Sequence, residues 1–243
     1  MNNTFSFERF VKVLKYDLKF RVPGFMVTYI VLLTCMHILF FAFNASSGEI
    51  FSATTRETII NGMWMICSFL APFKIYSAIR NKHGRAQFIM LPASTLEKFA
   101  SMFVISVIIV PVSFLLLSYA LDSLLTVIFK DIYLNFISLN KMNITLGFKA
   151  IFCTVSTAML GNAIFKKGAI AKTFIIVMTL CCIWSYLMLD SAFSSIIKIG
   201  DVDQSVVRTQ MQYVNYISKY VYMIVSVFIY VCTSYRLKKM QIS

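Results

Sequence analysis

Residues that build catalytic and metal sites are scarce in this chain of 243 residues. Only two are His (His37 and His83), ten are Asp or Glu, and the six Cys all fall in apolar runs without metal-ligand spacing. A phosphate-binding loop is also missing, because the stretch bracketed by Gly161 and Gly168 lacks the Gly-Lys-Ser/Thr order. We therefore predict no catalytic residue, no cofactor, no metal, and no ATP hydrolysis by the chain itself.

Long uncharged runs dominate the sequence instead. Apolar residues make up 59% of the chain and the mean hydropathy is +0.77, whereas a soluble domain is about 45–50% apolar. Uncharged apolar runs of about 17–25 residues are typical of transmembrane helices. The sequence predicts an all-α polytopic membrane protein with one transmembrane domain over residues 1–243. Its six spans are expected near 25–43, 58–79, 99–121, 147–165, 170–189 and 215–235.

Carboxylates are missing from the middle of every predicted span. A proton- or sodium-coupled carrier usually needs one there, so their absence argues against such a carrier and against an intramembrane enzyme. His37 lies within the first span, where an ionisable residue is a functional candidate. The simpler interpretation is a neutral imidazole that hydrogen-bonds to a neighbouring helix. Asn61 and Asn162 are likewise predicted to form hydrogen bonds between helices.

The stretch before the first predicted span, residues 4–21, is amphipathic. Apolar side chains recur there at helical spacing, and charged residues, Asp17 among them, fill the remaining faces. A basic amphipathic helix beside a span lies in the membrane interface. The alternative is an ordinary flanking helix that only anchors the chain. Pro23 and Gly24 are predicted to end this helix and let the chain turn into the bilayer.

Basic residues are distributed unevenly about the predicted spans. Six spans place both termini on one side, together with the loop 80–98 and the turn 166–172, and that side carries the whole net charge of +13. By the positive-inside rule this side is cytoplasmic. Because the cations gather at span ends, a lipid bilayer explains them without a nucleic-acid partner.

One polar stretch, RNKHGRAQFIMLPASTLEKF (Arg80 to Phe99), separates the second and third predicted spans. Pro92 disfavours a helical conformation at Leu91 and therefore marks a boundary. Ser94 and Glu97 have the spacing of a capping box, which starts a new helix. Since that helix runs directly into the third span, the stretch predicts a rigid elbow.

The residues just before Pro92 are apolar, and we expect them to be exposed on this loop. Exposed apolar residues on a basic loop favour a docking surface for another protein. The alternative is that they dip into the lipid interface beside the N-terminal segment, and the residues alone leave both interpretations open. The four residues are Phe88, Ile89, Met90 and Leu91.

The string FIMLPASTLEKF (Phe88 to Phe99) resembles the segment between spans two and three of ABC-2-type transporter permeases, especially small six-span ones common in Bacteroidota. The amphipathic N-terminal segment, the six spans and the basic tail YRLKKMQ (Tyr235 to Gln241) extend this resemblance along the chain. The resemblance implies an interfacial helix before six spans, and a bacterial inner-membrane location with both termini cytoplasmic. It also implies a re-entrant element near 190–214.

The same resemblance implies partners and contact residues. The loop 80–98 would be a coupling loop that docks into a separate ATP-binding subunit, and a second permease subunit, identical or not, would complete the transporter. The implied coupling residues are Phe88, Met90 and Leu91 as contacts, with Pro92, Ser94, Glu97 and Lys98 shaping the elbow.

The sequence therefore favours the membrane-spanning permease subunit of an ATP-driven exporter. A non-transporting anchor or assembly subunit that uses the same patch is the alternative. An intramembrane enzyme is disfavoured by the scarcity of His and of deep carboxylates.

Overall fold

The computed structural model describes residues 5–47, 52–130, 136–137, 141–180, 182 and 204–242. All regular secondary structure in these residues is helical. Nine α-helices follow one another: α1 Phe7–Phe20, α2 Val22–Ser47, α3 Ala53–Ile75, α4 Lys82–Met90, α5 Thr95–Phe103, α6 Val110–Ile128, α7 Lys141–Ile164, α8 Ala169–Leu180 and α9 Gln204–Ile242. A 3₁₀ turn (Ser77–Arg80) precedes α4, and a π-helical turn (Val104–Ile109) joins α5 to α6.

Five helical segments of the described chain are long and apolar enough to cross a membrane. They are Val22–Phe43, Ala53–Ile75, Thr95–Ile128, Gly147–Ile164 and Tyr220–Met240. The predicted all-α, multi-pass membrane fold is supported at this level. Of the predicted fifth span, 170–189, the structure describes the apolar helix α8, and most of the rest lies outside the described residues. The predicted re-entrant element near 190–214 lies outside the described residues up to residue 203, and its residues 204–214 form the start of α9.

The centre of the bundle is made by α3, the continuous α5–α6 helix and α7. Each has 44% of its most apolar window buried, against 33% for α2 and 22% for α9. Trp64 of α3 and Phe114 of α6 are fully buried there. The outer helices α2 and α9 direct long apolar side chains outward, which in a bilayer places them against lipid.

Close helix contacts in the bundle depend on small residues. A Cβ on Gly147 of α7 would overlap the Trp64 ring, and one on Gly161 would overlap Thr173 of α8. Small residues at such points let helix backbones approach closely, which is how helices associate in lipid.

Two prolines lie in the central helices, and a side chain of a neighbouring helix donates to the carbonyl of each. Pro111 follows a π-helical turn that closes with a bond from the Val110 N–H to the carbonyl of Ile105. Trp64 donates its Nε1–H to the carbonyl of Pro111 at 2.8 Å. Near Pro72, the amide of Asn162 donates to the carbonyls of Pro72 (3.2 Å) and Tyr76 (3.1 Å). The interhelical role predicted for Asn162 is therefore confirmed.

Candidate functional site

The helix α1 packs on the bundle through Val13 and Asp17, with Leu14 and Leu18 partly buried against the core. The predicted amphipathic helix is present and ends at Phe20, before Pro23, which lies in the first turn of α2, where a proline is tolerated. Its fully buried residues are Val13 and Asp17, while Phe7 and Phe20 are 71% and 64% exposed. The prediction that Asp17 belongs to a solvated polar face is therefore wrong.

Asp17 is the centre of a buried polar cluster that joins three helical elements. Its Oδ1 accepts a hydrogen bond from Arg21 Nη1 at 2.7 Å, one turn along α1. Its Oδ2 accepts from Ser101 Oγ of α5 at 2.8 Å and from Tyr76 OH, after α3, at 3.3 Å. Burial raises the pKa of Asp17, and its charged and hydroxyl donors offset only part of that increase. Burial and the Asp17 charge raise the pKa of Tyr76, so this hydroxyl stays a donor.

Glu97 anchors the start of α1 to the start of α5. The predicted capping box is confirmed: Ser94 Oγ accepts from the Glu97 N–H, and Glu97 Oε2 accepts from the Ser94 N–H at 2.8 Å. Its other oxygen, Oε1, accepts from the N–H of Ser6, the N-cap of α1, at 2.7 Å. Arg9 Nη2 lies 3.0 Å from the same oxygen. One buried carboxylate therefore satisfies donors at two helix N-termini.

Phe88 of α4 is buried, with only 5% of its surface exposed, so the prediction that it is exposed is wrong. Its ring lies between two cations, 5.2 Å from the Arg21 guanidinium carbon and 5.5 Å from Lys98 Nζ. Both distances are in the range of cation–π attraction. The ring therefore attaches α4 to α1 and α5 together.

The elbow has the helix boundary that its sequence predicts. The helix α4 ends at Met90, and the extended conformation of Leu91 after it (φ −57°, ψ 128°) is the one that Pro92 favours in the preceding residue. Lys98 Nζ donates to the carbonyl of Ile89 at 3.0 Å and so satisfies a C-terminal acceptor of α4 from α5. Because α5 continues into the candidate membrane span, these contacts connect α4 to that span.

Of the predicted contact residues, Met90 alone is strongly exposed, at 81%. Leu91 is partly buried against the core. Among the predicted shaping residues, Pro92 is exposed, Ser94 is half-buried, and Glu97 and Lys98 are buried. The apolar surface that the elbow offers to a partner is therefore smaller than predicted and centred on Met90.

A second site with buried charges lies at the opposite end of the central helices. The sequence did not predict it. Arg56, in the first turn of α3, donates Nε to Asp122 Oδ1 at 3.1 Å and Nη2 to Asp122 Oδ2 at 3.4 Å. Each side chain is 1% exposed. Asp122 lies near the end of a helix that continues to Ile128, beyond the span end predicted at residue 121, and not in the middle of that segment. His37 of α2 lies within electrostatic range of both charges.

Comparison with protein-family models, with curated proteins and with solved structures finds no match for this chain.

Proposed function

We propose that this chain is the permease subunit of an ATP-driven transporter in the bacterial inner membrane, and that the elbow transmits the motion of a separate ATP-binding subunit. The observation that supports this most is the position of Met90. It is exposed at the end of a short helix that Phe88 and Lys98 attach to the beginning of a membrane span. A partner pressing on that helix would move the span as one body.

In this proposal the termini and the elbow are cytoplasmic, since the basic residues gather on their side. The partner supplies ATP hydrolysis, and a second permease subunit, identical or not, completes the transporter. Exposed Lys166 and Lys167, in the α7–α8 turn, would lie on the same side.

Co-purification tests the partner. The tagged chain, extracted from native membranes in mild detergent, is expected to retain a P-loop ATPase identified by mass spectrometry. Met90→Asp should reduce that capture at least tenfold, because it places a charge in an apolar contact. Lys167→Asp is the matched control, because it changes the charge on the same side by more than Met90→Asp does but lies outside the elbow. It should leave capture of the ATPase unchanged. The proposal fails if the wild type retains no ATPase or if both variants lose it equally.

Impermeant thiol labelling tests the orientation. In a chain whose native Cys are replaced, Met90→Cys should be labelled in inside-out vesicles and protected in right-side-out vesicles. The reverse pattern would refute a cytoplasmic elbow.

A non-transporting anchor remains the alternative, because the same exposed Met90 would serve it. The two functions differ in coupling: a permease should change the ATP hydrolysis rate of the captured partner, and Phe88→Leu should weaken that change while the partner stays bound. An anchor predicts the same rate with and without the chain.

A further inference from the structure

A groove of about 540 Å³ runs along the outside of the bundle between α5 and α9. Its wall is aromatic: the Tyr230 ring lies 5.0 Å from Phe103 and 5.1 Å from Phe152, between ring centroids. Tyr230 OH donates to the carbonyl of Phe152 at 2.9 Å, so the hydroxyl is satisfied within the protein. What remains facing the groove is an ordered, apolar surface.

The groove changes character along its length. In the predicted topology α5 begins and α9 ends on the basic side, so the two helices run antiparallel, with Tyr230 5.0 Å from Phe103 and 6.5 Å from Phe99 between ring centroids. Thr95, at the start of α5, therefore lies at the same end as Lys238, near the end of α9. Residues Phe103 and Val227 line the other end. One end of the groove is polar and basic, and the other is apolar.

Length and charge identify an occupant. From Val227 to Lys238 an α-helix rises about 16 Å, close to half of the roughly 30 Å hydrocarbon thickness of a bilayer. The groove thus spans one leaflet. Lys238 is exposed, the exposed Lys239 follows it, and no carboxylate among the described residues forms an ion pair with Lys238. A basic site at the headgroup level attracts anionic lipid.

We propose that this groove binds one anionic phospholipid, with the headgroup at Lys238 and one acyl chain along the Phe103–Phe152–Tyr230 wall. The proposal rests on the membrane fold and not on the ATPase partner, so that loss of lipid binding and loss of ATPase capture are separate results.

Native mass spectrometry of the purified full chain tests it, with phosphatidylglycerol and phosphatidylcholine as probes. Wild type should hold one phosphatidylglycerol more tightly than phosphatidylcholine. Lys238→Gln should reduce that preference about fivefold, as expected for one basic residue near an anionic surface. Lys167→Gln, an exposed cation outside the groove, is the control and should not. Equal binding of the two lipids, or equal effects of the two variants, overturns the proposal.

A second pair of variants tests the apolar part. Val231→Trp fills the groove from α9 and should abolish retention of the lipid, whereas Ile224→Trp, exposed on the same helix but outside the groove, should not. The same spectra report the oligomeric mass. If Val231→Trp removes a dimer and leaves lipid binding unchanged, a second copy of the chain covers the groove and the lipid proposal is wrong.

Discussion

Buried charges occupy both ends of the central helices, but they are held in different ways. At one end, Arg56 and Asp122 form a single bidentate pair between α3 and α6. At the other end, Asp17 and Glu97 accept bonds from backbone N–H groups, hydroxyls and cations of several elements, while Phe88 receives two cations. About 30 Å of α3 separates Arg56 from Tyr76. Removing either partner breaks the Arg56–Asp122 pair, whereas the cluster at the other end keeps several of its contacts when one of them is removed.

In the proposed transporter this difference would allow one end to move relative to the other. The elbow and α1 are attached to the bundle by apolar packing of Leu14, Leu18 and Leu91 and by the polar and cation–π contacts of Glu97, Asp17 and Phe88. Such contacts can be exchanged for others at modest cost, which a large apolar interface cannot. Four variants compare the two ends.

Of the four variants, Asp122→Asn is expected to lower the free energy of unfolding most. It removes the Asp122 carboxylate from the buried Arg56 guanidinium, and loss of one partner of a buried pair costs about 3–5 kcal/mol. The measurement is the free energy of unfolding in mixed micelles. Glu8→Gln, which breaks the exposed Glu8–Lys12 pair, is the control and should cost about 0–1 kcal/mol. Equal costs for both would show that the Arg56–Asp122 pair does not hold the bundle.

Glu97→Gln should lower the free energy of unfolding by less, about 2 kcal/mol. The amide keeps one acceptor for the capping box, and the Arg9 guanidinium, having lost its carboxylate, is hydrated again. Its effect should be local, so that protease cleavage in α1 increases while the rest of the bundle keeps its resistance. Ser94→Ala removes only the capping bond and is the matched control, with a cost of about 1 kcal/mol. Cleavage spread evenly over the chain would contradict a local role.

Phe88→Leu is expected to cost about 1–2 kcal/mol, since leucine keeps the apolar burial but offers no ring to Arg21 and Lys98. Thermal unfolding at low and high salt measures it. Phe114→Leu, in the apolar centre of the bundle, gives the comparison for lost packing alone. If salt alters the cost at position 88 no more than at 114, the two cations do not act through the ring.

Asp17→Asn is expected to change the free energy of unfolding least, by no more than about 1 kcal/mol at neutral pH. Burial already disfavours the Asp17 charge, and an amide oxygen still accepts from Ser101 and Tyr76. Asp17→Leu removes both acceptors and should cost more, about 2–3 kcal/mol for unsatisfied buried donors. A cost for Asp17→Asn as large as that for Asp122→Asn would show that the two ends are held alike.

The same variant should change the pH dependence of stability. Because the folded-state pKa of Asp17 is raised above its unfolded value, the folded state binds the proton more tightly, and this stabilisation is lost as pH rises through the raised pKa. The difference in unfolding free energy between wild type and Asp17→Asn should therefore shift against the wild type as pH rises from about 4. A constant difference would contradict the raised pKa.

Local sequence patterns predicted the elements, including the helical spans, the amphipathic α1, the boundary at Pro92 and the Ser94–Glu97 capping box. Each depends on residues within a few positions of one another, so that hydropathy, proline geometry and capping spacing are enough. The ends of the spans were less predictable. In the sequence, Arg56 and Asp122 resemble residues of polar loops. Their role is apparent only from the pair that they form across 66 positions of the chain.

The sequence by itself therefore determined that the chain is helical and that several of its helices are long and apolar enough to cross a membrane, because these properties are local. Only the tertiary structure decided which charges are buried. Asp17, Glu97 and Asp122 are tolerated inside because donors from distant helices meet them, and Phe88 is covered because Arg21 and Lys98 converge on its ring. Burial of a charge is decided by its partners, and those partners are brought together by packing.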